Sequence, residues 1–388
     1  MRTVRARAAD TLPAEAQVVV VGGGIVGAAV AYHLARAGIT DVVVVERDGV
    51  ASAASGKPIG GLRAQFSDRL NARLALRSLE LYAELGADMD HRRVGYLFLL
   101  REAADVARFE TGVALQNDVG IPSVMLDAAE ARARCPAIDP EAFVAAAWCP
   151  IDGHARPQEA AWAYADDARR RGARFVTGCA VTGIDVRAGE IASVETTQGT
   201  VRTSTVVCAA GAWSREIGAL AGVELDVTPV RRQIALTGPT PLSTPDLPFT
   251  IDFSSTFYFH GAGDGLLLGM SDPAELPGLD ASYAPSWEAA LREAAGRCAP
   301  ALADLAITEG WAGLYENTPD ASALIGESPD VRRFLYATGF SGHGFCQAPA
   351  TGDIVADLVL GREPFVDVAP LRAERFAERS PIAEANIV

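Results

Sequence analysis

The sequence is poor in the features that mark metal, membrane or nucleic-acid proteins. Its five histidines and six cysteines include no Cys-x-x-Cys pair, so neither a zinc nor an iron–sulfur site is expected. No apolar run approaches the roughly 20 residues that would span a bilayer. Positive charge is in deficit: 34 Lys and Arg stand against 49 Asp and Glu, a net charge of −15. That balance argues against nucleic acid or an anionic membrane surface as a partner. The stretch 1–16 carries Arg2, Arg5 and Arg7 but lacks the apolar segment of a secretory signal. It reads as a short mobile lead-in, with the cytoplasm as the default location. The cysteines, from Cys135 to Cys346, are expected to be reduced thiols, most of them in the core. Internal repeats and low-complexity segments are missing too.

What the chain does have is a strand, a glycine turn and a helix in immediate succession. Val18-Val19-Val20-Val21 runs into Gly22-x-Gly24-x-x-Gly27, with Ile25 and Val26 opening a helical segment that reaches Ala37. A second apolar run, Val42 to Val45, ends at Glu46 and Arg47. This is a complete βαβ unit with glycines at the first turn and an acid closing the second strand. Gly22 permits the tight turn, Gly24 lets the backbone approach a pyrophosphate, and Gly27 lets the helix close onto the sheet. The helix N-terminus offers free N–H groups to phosphate. Glu46, 22 residues beyond Gly24, is placed to accept from a ribose diol. No second unit of this kind occurs, so one dinucleotide is expected and a built-in NAD(P)H site is not.

Further along, helical spacing predicts Asp68 to Leu85, with Asp68 as N-cap. Tyr96 to Leu100 reads as a strand, and helices follow near 102–118, 127–134 and 157–171. Thr205 to Cys208 leads through Ala209-Ala210-Gly211-Ala212-Trp213 into a helix. Segments 229–237, 249–253, 256–260 and 265–270 predict an antiparallel sheet, and 285–298 a helix. Near the end, strand Phe334–Thr338 precedes Gly339-Phe340-Ser341-Gly342-His343-Gly344-Phe345, with a helix expected over Ala350 to Leu360.

Four of these segments together resemble the D-amino-acid oxidase superfamily of FAD enzymes. They are the Gly22 unit, the Ser55…Gly60-Gly61-Leu62-Arg63-Ala64-Gln65-Phe66 loop, Ala209 to Trp213, and Gly339 to Phe345. The branch that the chain is most similar to holds sarcosine oxidase, its β-subunit relatives and the β subunit of dye-linked L-proline dehydrogenase. The resemblance implies a discontinuous Rossmann-like FAD-binding domain (1–90, 150–225 and 308–388). Beside it would stand an α+β substrate domain (91–149 and 226–307) on an antiparallel sheet. It implies FAD with its adenosine end on the first unit and its ribose on Glu46. Ala54, Ser55, Gly61, Leu62, Val181, Ala209, Gly211, Trp213, Gly313 and Tyr315 join the glycine turns as cofactor contacts. The helix after Gly342-His343-Gly344 would present its N-terminus to the flavin.

The chain departs from those relatives at four positions. Gly313 stands where they tether flavin to a cysteine, which implies non-covalent FAD. Leu267 stands where they carry an oxygen-activating lysine, which favours a dehydrogenase or a slow oxidase. Phe66 and Cys346 replace the Arg and Lys that clamp a substrate carboxylate. Arg63, His260, Arg231 or Arg232 could bind an acid instead, or the substrate is larger and less polar.

The candidates for the chemistry are therefore Arg63, Tyr258, His260, His343 and Cys346. His260 is weighed against a structural role, Tyr258 against core packing, and Cys346 against a small buried hydrophobe. Trp311 and Lys57 are further candidates, for flavin and phosphate contact. The expected function is FAD-dependent oxidation of a secondary or primary amine or amino acid, by hydride transfer to the flavin and hydrolysis of the imine. The electron acceptor would be O2 or a protein or dye. Alternatives are a subunit of a hetero-oligomeric dehydrogenase, or a flavin-binding assembly factor without enzyme activity.

Overall fold

The computed structural model describes residues 10–57, 59–86, 89–378 and 384–386. Two large sheets organise the chain. The first has six strands in the order Leu324–Glu327, Phe334–Thr338, Val206–Cys208, Val18–Val21, Val42–Val45, Arg174–Val176. Every pairing is parallel except that of the edge strand Leu324–Glu327. The valine runs are fully apolar because both faces of this sheet are covered, so no polar alternation is needed. On one face, helix Ile25–Arg36 packs against Pro157–Arg170 and Gly344–Leu360. The last contact is close enough that a Cβ on Gly352 would sit 2.8 Å from the backbone of Ala29.

The second sheet has eight strands: Ile307–Asn317, Thr228–Thr237, Gly265–Met270, Phe257–Ala262, Phe249–Asp252, Tyr96–Leu100, Ala145–Cys149, Val124–Leu126. The four segments expected to form an antiparallel sheet do pair antiparallel with one another, and the sheet is mixed at one further pairing. Phe249–Asp252 pairs with Tyr96–Leu100 in parallel, because two separate chain segments meet there rather than the arms of a hairpin. Ile307–Asn317, expected with the cofactor lobe, pairs along its length with Thr228–Thr237 and so lies in this sheet. The turn at Gly263 closes a hairpin between 257–262 and 265–270, as its glycines suggest.

The local helix signals hold where they are short-range. Asp68 Oδ1 accepts from the N–H groups of Leu70 and Asn71, capping Arg69–Leu85. The final helix is the exception. It begins at Gly344, six residues before the expected start, and contains Pro349. Proline cannot donate to the Phe345 carbonyl, and that carbonyl instead accepts from the Tyr82 hydroxyl at 2.8 Å. Ser78 Oγ takes the N–H of Ala350. The lead-in is only partly within the described residues, and 1–9 lie outside them. From Asp10 onward it is tied down, with Asp10 accepting from Phe175 N at 2.8 Å and Ala16 donating to Arg202 O.

Among the described residues no helix is long and apolar enough to cross a membrane. Nor does any group of three or more His, Cys, Asp or Glu gather there as a metal site would require.

Candidate functional site

A cavity of ≈ 460 Å³ extends from the glycine turn of the six-stranded sheet to the inner face of the eight-stranded one. At the first end lie Gly22, Gly24, Ile25, Val26, Glu46, Arg47, Ala54, Ser55, Lys57 and Val181. At the other end are Tyr96, Arg232, Phe249 and Tyr258. Between them come Ala209, Gly211, Trp213, Gly313, Tyr315 and the Gly342–Cys346 segment. Residues separated by more than three hundred positions thus line one space.

The dinucleotide end is built tightly. Gly22 has φ +106°, and a Cβ there would meet the Ala209 carbonyl at 2.4 Å; a Cβ on Gly27 would meet the Gly22 carbonyl at 1.9 Å. Only glycine fits either place. Ser55 Oγ accepts from Ile25 N at 2.9 Å and so occupies one donor of the helix N-terminus. The Glu46 carboxylate accepts from Gly23 N at 2.7 Å and from Asp48 N at 2.8 Å. Those contacts lock the acid beside the glycine turn. The Arg47 guanidinium lies 4.2 Å from the Trp213 ring centroid.

These features fit FAD on structural grounds. A glycine-walled turn at a helix N-terminus leads past an anchored carboxylate into a cleft that the Gly342 turn also lines. A Cβ on Gly342, φ +93°, would meet Tyr315 Cε2 at 2.4 Å. Gly339 and Phe340 are held from beneath, since Gly339 N donates to the buried Glu316 carboxylate at 3.0 Å. A Cβ on Gly313 would find Lys57 Cβ at 3.4 Å, an ordinary contact, so the chain has room for a side chain there and supplies none.

The chemical candidates separate clearly. Arg63 is buried and fully engaged: it donates to Gln65 O, to Asn386 O at 2.6 Å and to His343 Nε2 at 2.8 Å. Its guanidinium lies over the Phe66 ring at 4.2 Å. Burial, and then the Arg63 charge, push the His343 pKa well below that of a free imidazole. Cys346 lines the cavity but is a buried thiol donating to Gly61 O at 3.4 Å, its pKa raised by burial; it is not a thiolate nucleophile. Tyr258 and Tyr315 lie side by side, both with pKa raised by burial.

His260 corrects an expectation, for it is not among the residues that line the cavity. Both ring nitrogens face carbonyls, Nδ1 that of Gly261 at 2.7 Å and Nε2 that of Ile59 at 2.8 Å. Its ring stacks between Phe249 and His154. Trp311 likewise misses the lining; its Nε1 donates to Lys57 O at 2.7 Å and secures the loop. Arg231 is withdrawn from the site by Glu275 and Asp280.

Sequence reasoning passed over Asp152, Tyr96 and Phe249. Asp152 is fully buried behind Arg63, accepting from Ala64 N at 2.9 Å and Gln65 Nε2 at 3.3 Å. Burial raises its pKa to about 7. Tyr96 and Phe249 stack with centroids 4.2 Å apart across the parallel strand pair. Nothing local marks these three, because the segments that carry them meet their partners only in the fold.

Comparison with known proteins agrees with this architecture. Among solved structures the chain is similar to L-proline dehydrogenase from P. horikoshii, with 33% identity and a TM-score of 0.90 over 96% of this chain and 100% of that one. It is also similar to glycine oxidase from Geobacillus kaustophilus, with 28% identity and a TM-score of 0.83 over 94% and 99%. Curated relatives include the 4-methylaminobutanoate oxidase (formaldehyde-forming) of Paenarthrobacter nicotinovorans, 28% identical over 95% of this chain and 46% of that protein. Mitochondrial dimethylglycine dehydrogenase of Mus musculus is 29% identical over 94% and 44%. The chain thus spans less than half the length of these two curated relatives. A model of the family DAO, FAD dependent oxidoreductase, matches residues 17–358, and the chain belongs to that family of FAD enzymes.

Proposed function

We propose that the protein oxidises a secondary or primary amine, of the kind found in amino acids, at the carbon next to nitrogen. The observation that carries this reading is the single cavity joining the dinucleotide turn to the Tyr96–Phe249–Tyr258 wall of the large sheet. The names of the relatives, which include a proline dehydrogenase, a glycine oxidase and a dimethylglycine dehydrogenase, support it. FAD, when bound, supplies the acceptor for the hydride.

The chain's own residues bind and orient. Gly22, Gly24, Glu46, Val181, Ala209, Gly211 and Trp213 would hold the adenosine and pyrophosphate portion. The Gly339–Phe345 turn and the helix from Gly344 would hold the ring, with the positive end of the helix dipole toward it. Tyr96, Phe249 and Tyr258 exclude water from the reacting carbon. Desolvation in that apolar chamber favours the neutral amine over the ammonium. The loops and sheets divide into the cofactor and substrate lobes given above, with 307–317 assigned to the substrate side.

FAD is held without a covalent bond in this reading, because Gly313 offers no nucleophile. Electrons pass preferentially to a dye or protein acceptor. A cytoplasmic location accords with six unpaired cysteines.

The test is anaerobic mixing of the FAD-loaded chain with an amine panel (sarcosine, dimethylglycine, L-proline, glycine, N-methylbutylamine), following flavin bleaching. Rapid reduction by at least one compound is expected, with all flavin released on acid precipitation. No reduction by any of them would overturn the catalytic reading.

A further inference from the structure

The cations around the cavity differ in how far their N–H groups are already taken. Arg63 has three acceptors. Arg47 pairs with Asp48 and covers Trp213, at the dinucleotide end. Lys57, the chain's one lysine, sits at that end too, beside Gly313. Arg231, next in sequence to the cavity wall, is taken by Glu275, Asp280 and the Ser282 carbonyl.

Arg232 is different. It lines the cavity, and its one hydrogen bond is from Nη1 to its neighbour's carbonyl, Arg231 O, at 3.0 Å. Its Nε is buried with no partner. No carboxylate lies within ion-pair distance of it among the described residues. The guanidinium stands 5.2 Å from the Tyr315 ring centroid. Its charge is felt at the hydroxyls of both Tyr258 and Tyr315, where it opposes the effect of burial.

A half-buried guanidinium without an anion leaves strong donors unsatisfied in a low-dielectric wall. A carboxylate removes that cost, because its two oxygens match the planar fork of Arg. Tyr258, buried beside it, has a hydroxyl that is hydrogen-bonded to that of Tyr315; turning it from that neutral partner to a carboxylate would exchange a neutral hydrogen bond for a charge-assisted one. The two positions from which relatives are expected to clamp a carboxylate hold Phe66 and Cys346. Phe66 stacks edge-on against His343, and Cys346 is neutral. The cation left on that side is Arg63, and its N–H groups are already held by Gln65, His343 and Asn386.

We propose that Arg232, assisted by Tyr258, binds the carboxylate of the substrate, so that the protein selects amino acids over amines lacking an acid. The proposal rests on the amine-oxidation reading above. It reverses the side of the cavity from which the acid is gripped: the grip comes from strand Thr228–Thr237 of the large sheet, not from the Arg63 loop or the last helix.

Pyrrole-2-carboxylate and its neutral counterpart pyrrole-2-carboxamide serve as probes, titrated into the FAD-loaded chain and followed by the flavin difference spectrum. In wild type the carboxylate should bind more tightly than the amide. Arg232→Gln should weaken the carboxylate by roughly 10- to 100-fold, the loss of a charge-assisted pair, and leave the amide within about threefold and the flavin content unchanged. Arg232→Lys should restore part of the difference. In turnover, the preference for L-proline over pyrrolidine should collapse in Arg232→Gln. Failure of wild type to bind the carboxylate, or equal effects of Arg232→Gln on the two probes, would overturn the assignment. A flavin that no amine reduces would instead count against the catalytic reading, since the probe titration does not depend on turnover.

Discussion

Nη2 of Arg63 lies 2.8 Å from Nε2 of His343, across 280 positions of sequence. A guanidinium can only donate, so His343 Nε2 is the acceptor and the imidazole is neutral with its proton on Nδ1. Both the burial and the Arg63 charge push in that direction. His343 therefore positions Arg63 and does not act as an acid at Nε2.

The first prediction follows. His343→Gln keeps an acceptor and should leave the pH profile of kcat/KM unchanged in shape. His343→Leu strands a buried guanidinium N–H and should cost roughly 1–3 kcal/mol of stability. Thermal unfolding and steady-state rates from pH 6 to 9 decide it. An inflection near pH 6–7 that disappears in His343→Gln would show that the imidazole titrates after all.

Glu46 carries two backbone N–H groups as well as the expected ribose contact. Glu46→Ala should weaken FAD binding by roughly 1–3 kcal/mol, and Glu46→Gln, which keeps one acceptor, by less. Flavin fluorescence titration of the apoprotein gives both numbers. Unchanged affinity in the alanine variant would remove Glu46 from the cofactor site.

Asp152 links stability to pH. Its pKa rises from 3.8 unfolded to about 7 folded, because burial disfavours the charge. The folded state therefore holds a proton that the unfolded chain has lost, and stability falls as pH rises between about 4 and 7. Glu384, also raised to about 7 by burial, acts in the same sense. Asp152→Asn removes one of the two, so its Tm should decline less than that of wild type between pH 5 and 8, a difference on the order of a few kcal/mol in stability. Parallel Tm–pH curves for the two proteins would contradict it.

Leu267 pairs with His260 and Leu236. That row is the next on the same sheet face as Ile234, Gly269 and Tyr258, of which Ile234 and Tyr258 line the cavity. No cation stands at this place, so reduced protein should reoxidise slowly in air and faster with a dye. Leu267→Lys should accelerate the reaction with O2 by about tenfold or more, through a charge that stabilises the electrons arriving on oxygen. Stopped-flow reoxidation measures it. A wild-type rate already equal to that of the lysine variant would mean that another group, such as Arg63, fills this role.

Short-range physics was legible in the chain. Four valines before Gly22-x-Gly24-x-x-Gly27 demand a covered parallel strand and a tight turn, and Asp68 caps the helix that follows it. In each case the interacting groups lie within a few residues, so spacing alone states the geometry. The last helix shows where that stops. Pro349 signals a helix start after itself, and only Tyr82, 263 positions from Phe345, takes the carbonyl that proline leaves free.

The site repeats the lesson with charges. Two adjacent arginines, Arg231 and Arg232, are indistinguishable as sequence. The fold gives one to Glu275 and Asp280, and leaves the other facing the cavity. His260 is aimed at two carbonyls and withdrawn from the cavity, while Arg63 is shared among Gln65, His343 and Asn386. The sequence by itself determined that the chain is an FAD enzyme and where its glycine turns fall, because those signals are local. Which polar groups remain free to meet a substrate was decided by tertiary structure, because a buried donor or acceptor is satisfied by whichever partner the fold brings within 3 Å, however distant along the chain.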